Sequence, residues 1–249
     1  MRRECSFYRL NVSWLPVIAG HAVGVLLYGC ATPISGDAVR VPDVKVGDAW
    51  TYNAVEENFV DPKSRRVEYS FSRIVERVAG KEIEVSDKRE VFAGPELKRR
   101  YDRTWNLLQA PGPNGRSVVY SPRKLNLVFP LTTGRSWSEN YTERMQGERE
   151  WNDHQTTGKV LGSEEITVPA GTFSTLEVEL LTPGSFGPRK RTIFVEPKNW
   201  GGLQEIFWYA PRIKNFVKYI SKVYVSQKLA TQETLELIDY RVDVEAFAR

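Results

Sequence analysis

The chain has 249 residues, of which 41% are hydrophobic and 27% are charged, a balance that is typical of a folded globular protein and excludes a predominantly disordered one. Its formal net charge is +4, but residues 1–29 hold three arginines and one glutamate, so the rest of the chain carries only +2. Nucleic-acid binding needs a concentrated basic surface, so this near-neutral chain predicts no nucleic-acid partner.

The chain begins with a segment that is typical of a secretory signal. Residues 1–9 carry the three arginines, and residues 10–29 form a mostly apolar run. The run ends at Leu27-Tyr28-Gly29-Cys30, which resembles the lipobox of bacterial lipoproteins, with an apolar residue three positions before the cysteine and a small residue directly before it. The resemblance implies that residues 1–29 are a cleaved signal peptide and that Cys30 receives the lipid.

A lipid on Cys30 also implies a location. By the same resemblance, Ala31 in the position where an aspartate would stand implies sorting to the outer membrane, and we expect a lipid-anchored envelope protein that faces the periplasm. One acyl chain binds a bilayer only marginally, whereas two or three give stable anchoring. Two alternatives remain open: an uncleaved transmembrane anchor of about 20 residues, and cleavage after Ala38 by the ordinary signal peptidase.

The mature chain divides into a tether and a run of strands. Residues 30–45 contain two prolines and little periodicity, which predicts a flexible tether after the lipidated cysteine. From Val46 onwards, apolar and polar residues alternate with a period of two, which is typical of half-buried β-strands. Turn signals separate about eleven to thirteen such strands. Residues 97–107 are interpreted as one strand. Residues 227–237 could instead form a short helix, which is the one helical alternative in this part of the sequence.

Two local features interrupt this alternation. The apolar face of the strand that begins at Val67 passes from Phe71 to Ile74, a shift of one residue that predicts a β-bulge near Ser72-Arg73. A short motif also occurs twice, with glycine three positions before tryptophan. It is present in Val46-Gly47-Asp48-Ala49-Trp50 and in Thr133-Gly134-Arg135-Ser136-Trp137. The simplest interpretation is that glycine makes a turn and tryptophan anchors the following strand in the core.

The strand pattern predicts an all-β fold built as one large antiparallel meander, with residues 46–249 as a single domain. A sheet of this size must curl to cover its edges, so we expect a barrel or half-barrel, with a sandwich as the alternative. An outer-membrane barrel is disfavoured, because both faces of many strands carry charge where lipid-facing positions should be uniformly apolar.

Four segments occur in order along the domain: V-G-D-A-W-T-Y (46–52), F-P-L-T-T-G-R-S-W (129–137), I-T-V-P-A-G-T-F (166–173) and W-Y-A-P-R-I-K-N-F-V-K (208–218). This succession resembles the DUF3108 group of β-rich exported bacterial proteins and, more distantly, the LolA/LolB-like half-barrel fold, which normally carries helices as a lid or plug. Members of the group with W-Y-A-P-G-x-G have glycine where this chain has Arg212 and Lys214, which implies a different turn here. The resemblance carries over no catalytic residues.

The sequence predicts no metal site, no cofactor and no enzyme activity. His154 is the one histidine of the mature chain and Cys30 its one cysteine, which is too few for a zinc site. No nucleophile elbow or phosphate-binding loop is present. His154 is interpreted as a surface residue. Nothing in the pattern selects Glu139, Glu143 or Glu179 as part of a carboxylate pair for glycan hydrolysis.

Three basic clusters fall within the predicted domain: Arg65-Arg66, Lys98-Arg99-Arg100 and Arg189-Lys190-Arg191. They are interpreted as solvated strand faces that protect sheet edges. Contact with lipid headgroups or anionic glycans is the alternative.

Three hypotheses for function remain. The favoured one is a non-catalytic binding module in an envelope lipoprotein, which holds an acyl chain, a lipoprotein or another apolar ligand inside the curved sheet. The alternative is a structural or accessory subunit of an envelope assembly, and the third is a glycan-acting enzyme. The expected partners are the membrane, through lipid on Cys30, and a lipid or an envelope protein. The aromatic residues interpreted as an apolar ligand wall or core are Trp50, Trp105, Trp137, Tyr141, Trp208 and Tyr219.

Overall fold

The computed structural model describes residues 38–60, 63, 66–89, 96–112, 115–184 and 201–243. These residues form twelve antiparallel strands, in which each strand pairs with the next and the first also pairs with the last. The sheet is therefore a closed up-and-down barrel. This confirms the all-β antiparallel meander and the barrel, and it excludes the half-barrel and sandwich alternatives for the described part of the chain. Closure pairs each described strand on both sides, so the sheet that these strands form has no open edge.

The strands are β1 (Ala49–Asn58), β2 (Arg66–Ala79), β3 (Glu82–Arg89), β4 (Leu97–Asp102), β5 (Leu107–Pro111), β6 (Ser117–Lys124), β7 (Ser136–Met145), β8 (Asn152–Val168), β9 (Gly171–Pro183), β10 (Gly202–Ala210), β11 (Asn215–Val225) and β12 (Lys228–Arg241). Strand β12 covers the segment 227–237 almost completely, so the helical alternative there is wrong. Within the described ranges, no helix has the length and apolar character to cross a bilayer.

The alternation of side chains places the core inside the barrel. On β1, Trp50, Tyr52 and Ala54 are fully buried, while the residues between them are partly exposed. Successive side chains of a strand point to opposite faces, so every second residue lies in the interior. The aromatic rings pack closely there: the Tyr52 ring stacks on Phe216 with 4.9 Å between ring centroids, and Trp50 meets Trp105 edge to face at 5.6 Å.

The two copies of the glycine–tryptophan motif form the same backbone turn. Gly47 and Gly134 both have positive φ, +91° and +83°, which favours glycine. The Gly47 amide donates to Val75 on the neighbouring strand, and the Gly134 amide donates to Val160, each at 2.9 Å. A β-bulge follows both partners, between Val75 and Arg77 and between Val160 and Gly162. The predicted turn at each glycine is therefore confirmed.

The two tryptophans of the motif are buried to different degrees. Trp50 is fully buried, whereas Trp137 is only partly buried. Trp137 lies directly opposite Gly158 on the neighbouring strand, and a Cβ at Gly158 would overlap the indole ring. The glycine on β8 thus makes room for the ring that covers it.

Two details of the strand prediction are wrong. Residues 97–107 form two strands, β4 and β5, joined by a turn in which the Asp102 carboxylate accepts hydrogen bonds from the Thr104 and Asn106 amides at 2.8 and 3.0 Å. The side-chain oxygen of Asp102 competes with strand hydrogen bonding and ends β4. The bulge in β2 lies between Val75 and Arg77 and not near residues 72–73. The inward residue after Phe71 is therefore Arg73.

Part of the predicted tether lies on the barrel. Val39 exchanges two backbone hydrogen bonds with Leu131, at 2.9 and 2.8 Å, and Val44 is buried. The segment 38–45, assigned from sequence to the tether 30–45, is therefore held against the domain. Residues 1–37, with the predicted signal peptide and Cys30, lie outside the described residues.

A plug closes the end of the barrel at which β1 begins. It is the turn between β10 and β11, with a 3₁₀ helix over Pro211–Ile213 followed by Lys214. The Trp50 indole donates to the Ile213 carbonyl at 2.8 Å, and the Trp105 indole donates to the Lys214 carbonyl at 2.9 Å. Lys214 has φ +61°, the conformation that glycine adopts most easily. Its ammonium group lies 3.2 Å from the buried Asp48 carboxylate.

Candidate functional site

The barrel encloses a cavity of about 150 Å³ between the plug and the opposite, far end. This space holds on the order of ten water molecules. The cavity runs from Trp105 and Asn215 at the plug to Leu97 and Arg89 nearer the far end. Arg89, at the far end of this lining, is itself exposed.

Aromatic and charged side chains both line the cavity. The aromatic lining is Tyr69, Phe71, Tyr101, Trp105, Phe207, Tyr209, Phe216 and Tyr219. The charged lining is Arg73, Asp87, Arg89, Arg99, Lys124, Glu205 and Glu233. Charged residues are seldom buried unless they are paired, so their presence here needs a physical account.

The centre of the charged lining is a carboxylate between two arginines. Arg73 on β2 donates to Asp87 on β3 through Nε at 2.8 Å and through Nη2 at 2.9 Å, a bidentate pair. Arg99 on β4 donates to the same carboxylate through Nε at 2.8 Å. Three neighbouring strands therefore bring three charges to one point, and the register of the sheet decides which residues meet.

Both side chains of the bidentate pair are almost completely buried. Arg73 and Asp87 are each 5% exposed. Burial alone would raise the pKa of the Asp87 carboxyl, but the guanidinium groups of Arg73 and Arg99 outweigh it and lower the pKa to about 2. Asp87 is therefore a carboxylate at neutral pH. The cluster of Arg73, Asp87 and Arg99 carries one net positive charge.

Aromatic rings surround the guanidinium of Arg73. Its Cζ lies 5.5 Å from the Phe71 ring centroid, 5.9 Å from that of Tyr52 and 5.8 Å from that of Phe216. A cation near the face of an aromatic ring is attracted by its quadrupole, more strongly where water is excluded. The rings and Asp87 together stabilise this buried cation.

A second polar group lies across the cavity. The ammonium of Lys124 on β6 pairs with the Glu205 carboxylate on β10, and both side chains are buried. The other oxygen of Glu205 accepts a hydrogen bond from the Tyr219 hydroxyl at 3.0 Å. Burial lowers the pKa of Lys124, but the charge of Glu205 outweighs it and raises the pKa above its ordinary value. Both oxygens of Glu205 are thus occupied.

Glu233 on β12 is the third acid of the lining. Burial raises the pKa of its carboxyl, the neighbouring Arg99 lowers it, and the nearby Glu56 raises it again, with a net upward shift. Negative charge at this position is therefore less favourable than in water.

Two side chains at the cavity have N–H groups that donate to no described protein atom. Arg99 has five N–H groups, and the described partners engage only its Nε. Asn215 is 5% exposed and its Nδ2 has no hydrogen-bond partner among the described residues, while its Oδ1 accepts from the Phe216 amide at 2.9 Å. A buried donor without an acceptor is destabilising. The cavity is thus better supplied with donors than with acceptors.

The six aromatic residues expected to form a ligand wall or core occupy five different environments. Trp105 and Tyr219 line the cavity, and Trp50 packs in the core beside it. The buried Tyr141 stacks on His154 with ring centroids 5.2 Å apart. The partly buried Trp137 covers Gly158. Trp208 donates through its indole to the exposed Glu164 at 2.5 Å.

The other candidates from the sequence do not form one site. His154 is partly buried, not at the surface as expected, and its Nε2 lies 3.2 Å from a carboxylate oxygen of Glu143. Glu139 accepts a hydrogen bond from the Leu125 amide, and Glu179 accepts one from Gln204 at 2.7 Å. In the described ranges, no group of three or more His, Cys, Asp or Glu residues is placed to hold a metal ion.

The basic cluster on β4 is divided between the two faces of the sheet. Lys98 is exposed and Arg100 pairs on the outside with Glu82 at 2.6 Å, whereas Arg99 points inward to Asp87. The interpretation of this cluster as a solvated face is therefore wrong for Arg99. Arg66 is exposed, and Arg65 and residues 189–191 lie outside the described residues.

Sequence reasoning missed Arg73, Asp87, Lys124, Glu205 and Glu233 as site residues. A signal was present, because several of these charges lie two residues from a large apolar residue in the same strand and so share its face. The pattern occurs as Phe71-x-Arg73-x-Val75, Val85-x-Asp87, Arg99-x-Tyr101, Glu205-x-Phe207 and Glu233-x-Leu235. A charge on the inward face of a strand indicates a buried pair or a ligand.

Comparisons with known proteins are distant. No protein-family model matches the chain, and no curated protein matches it. Membership of the DUF3108 group and kinship with the LolA/LolB-like fold therefore stay predictions.

Similar solved structures include three bacterial proteins. A candidate lipoprotein of Parabacteroides distasonis is 15% identical over 82% of this chain and 100% of its own, with a TM-score of 0.44. The hypothetical lipoprotein YmcC of Escherichia coli is 9% identical over 79% of this chain and 86% of its own, with a TM-score of 0.45. A candidate exported protein of Bacteroides fragilis with a YmcC-like fold is 15% identical over 83% of this chain and 100% of its own, with a TM-score of 0.43. These values assign no function to this chain.

Proposed function

We propose that the protein is an envelope lipoprotein whose barrel binds a small ligand in its interior cavity. The lipid on Cys30 holds it to the outer membrane, facing the periplasm, and the barrel is a non-catalytic binding module. The observation that carries the proposal is the cavity itself, which is lined by eight aromatic side chains and by paired charges. Binding sites combine such apolar walls with a few placed polar groups.

The sequence-based hypothesis named an acyl chain or another apolar ligand. The buried charges narrow this to a molecule with an apolar body and a polar group, because an apolar ligand would leave the donors of the lining without acceptors. The aromatic lining, with Phe207 and Tyr219 at 4.9 Å between centroids, supplies the contact for the apolar body.

The test is to fill the cavity. Leu235 lines the cavity and is 4% exposed, so Leu235→Trp places a larger ring in that space. Leu161 is exposed on β8, and Leu161→Trp is the matched control. Binding of 3-phenylpropanol and 3-phenylpropionate to the mature chain in lipid nanodiscs is measured by titration calorimetry, with empty nanodiscs as the blank.

The proposal predicts that at least one probe binds the unmodified protein and the Leu161→Trp variant equally. Affinity for Leu235→Trp should fall at least tenfold while the thermal midpoint shows that the variant is folded. The proposal would be contradicted if neither probe bound the unmodified protein, or if folded Leu235→Trp bound a probe with unchanged affinity.

A second candidate is an accessory subunit of an envelope assembly. Phe59, Val60 and Val225 are 51%, 69% and 55% exposed. They lie at the far end of the barrel, where the Phe59 amide donates to the Ala230 carbonyl. Exposed apolar groups that cluster in this way favour contact with another protein. A photo-crosslinking residue at position 225, compared with one at position 161, tests this candidate in cells.

A further inference from the structure

We propose that the ligand carries an oxyanion, a carboxylate or a phosphate, that binds to the guanidinium groups of Arg99 and Arg73. This inference rests on the proposed function, because it names the chemistry of the molecule that the cavity would hold. Four features of the cavity lead to it: its charge balance, its free donors, its occupied acceptors and its walls.

The charge of the lining favours an anion. Four cations, Arg73, Arg89, Arg99 and Lys124, face three carboxyl groups, Asp87, Glu205 and Glu233. The excess is one positive charge when all seven are ionised, and two when Glu233 is protonated. A cavity with low-dielectric walls concentrates this field, so an anion gains more there than it would at the surface.

The donors are concentrated beside the Asp87 cluster. Arg99 engages the described protein through Nε alone, which leaves the paired Nη groups for a ligand. Arg73 uses Nε and Nη2 for Asp87 and retains Nη1. A guanidinium presents its donors as a planar fork that matches a carboxylate or a phosphate. The Nδ2 of Asn215, which is buried and has no described partner, adds a donor from β11 at the plug end of the cavity.

The acceptors of the lining do not favour a cationic ligand. The two oxygens of Asp87 accept three hydrogen bonds from arginines, and those of Glu205 are held by Lys124 and Tyr219. Glu233 is the remaining acid, and it faces Arg99. An amine would therefore have one carboxylate to pair with, and it would be placed near two guanidinium groups that repel it.

The aromatic walls of the cavity indicate the chemical character of the rest of the ligand. Phe71, Tyr101, Phe207, Phe216 and Tyr219 line the space around the charges. An oxyanion held at Arg99 therefore places the body of the ligand against rings, which an aromatic or alkyl group fits.

The experiment compares matched probes that differ in charge. 3-Phenylpropionate, phenyl phosphate and the neutral 3-phenylpropanol are titrated into the mature chain in nanodiscs. We expect at least one anion to bind ten or more times more tightly than the alcohol, and the stronger of the two identifies the preferred oxyanion. Equal binding of anions and alcohol overturns the inference but leaves the cavity function intact, whereas no binding by any probe overturns both.

Two neighbouring arginines on β4 give a matched pair of variants. Arg99→Gln should remove the preference for the anion and leave the affinity for the alcohol unchanged, because Asp87 keeps its bidentate bond to Arg73. Arg100→Gln, which changes the outward neighbour paired with Glu82, should leave all affinities unchanged. Retention of the preference in folded Arg99→Gln overturns the inference.

A third variant should raise the affinity for the anion and keeps both arginines in place. Glu233→Gln removes the negative charge that faces Arg99, so the affinity for the anion should rise several-fold while that for the alcohol stays constant. A fall in anion affinity, or no change, counts against the inference even if Arg99→Gln fails to fold.

Discussion

Arg73 and Asp87 are direct cross-strand partners on β2 and β3, and their side chains meet in a bidentate pair inside the barrel. The pair lies among large apolar residues, between Phe71 and Val75 on one strand and beside Val85 on the other. Two charges in this position cost free energy to bury, and replacement by apolar residues is often neutral or stabilising. Their presence is therefore weak evidence for stability and stronger evidence for a role of the cavity.

The first prediction concerns the cost of breaking this pair. Arg73→Met leaves Asp87 buried with Arg99 as its one remaining partner, and we expect a loss of about 3–5 kcal/mol in the free energy of unfolding. Arg77→Met, on the exposed side of the same strand, removes a surface pair with Glu84 and should leave the unfolding midpoint unchanged. Urea unfolding followed by tryptophan fluorescence measures both. Similar losses for the two variants would show that Arg73 is not specially placed.

The pKa of Asp87 predicts a window of acid instability. The carboxyl has a pKa of about 2 in the folded protein, against an ordinary value of 3.8. Because the folded-state pKa is lowered, the stabilisation is fully present above pH 3.8 and is lost as pH falls through 2. The contribution is on the order of 2 kcal/mol. Asp87→Asn should be less stable at pH 5 and should show a flatter decline between pH 4 and 2, measured by unfolding at each pH. Parallel declines in the two proteins would contradict the assignment.

The plug makes a prediction about backbone conformation. Lys214 has a positive φ, which costs a residue with a Cβ about 1 kcal/mol relative to glycine. Lys214→Gly and Lys214→Ala both lose the contact with Asp48, so both should be less stable than the natural protein. The glycine variant should be more stable than the alanine variant by about 1 kcal/mol. At most positions the order is the reverse, because alanine restricts the unfolded chain more than glycine does. Thermal unfolding of the two variants measures the difference, and equal stability would exclude strain at this turn.

The fold was largely predictable and the site was not, for different physical reasons. Alternation with a period of two is a local property, so a segment such as Val217–Val225 reveals a strand without knowledge of its neighbours. The site depends on strand register: Arg73, Asp87 and Arg99 lie on three strands and meet only because β2, β3 and β4 pair as they do. The bulge beyond Val75 also changes which residues of β2 point into the barrel. A sequence pattern locates a bulge only to within a few residues, so the inward position of Arg73 could not be predicted.

The anchor is testable independently of the barrel. Cys30→Ser should abolish incorporation of a palmitate analogue in metabolic labelling and should release the protein from the membrane fraction or leave it unprocessed. The reason is that the thiol of Cys30 is the predicted site of the lipid, and each acyl chain that is lost weakens membrane binding by about 0.8 kcal/mol per buried CH₂. Cys5→Ser, inside the predicted signal peptide, is the control. Equal labelling of the natural protein and Cys30→Ser would contradict lipidation at this residue.

The most direct measurement of the central claim is a crystal structure of the protein with 3-(4-bromophenyl)propionate, located by the anomalous signal of bromine. The account predicts a bromine peak inside the barrel among Phe207, Phe216 and Leu235, with the carboxylate at hydrogen-bond distance from the Nη atoms of Arg99. A bromine peak confined to the outer wall, or a cavity that holds only ordered water at saturating probe, would contradict it.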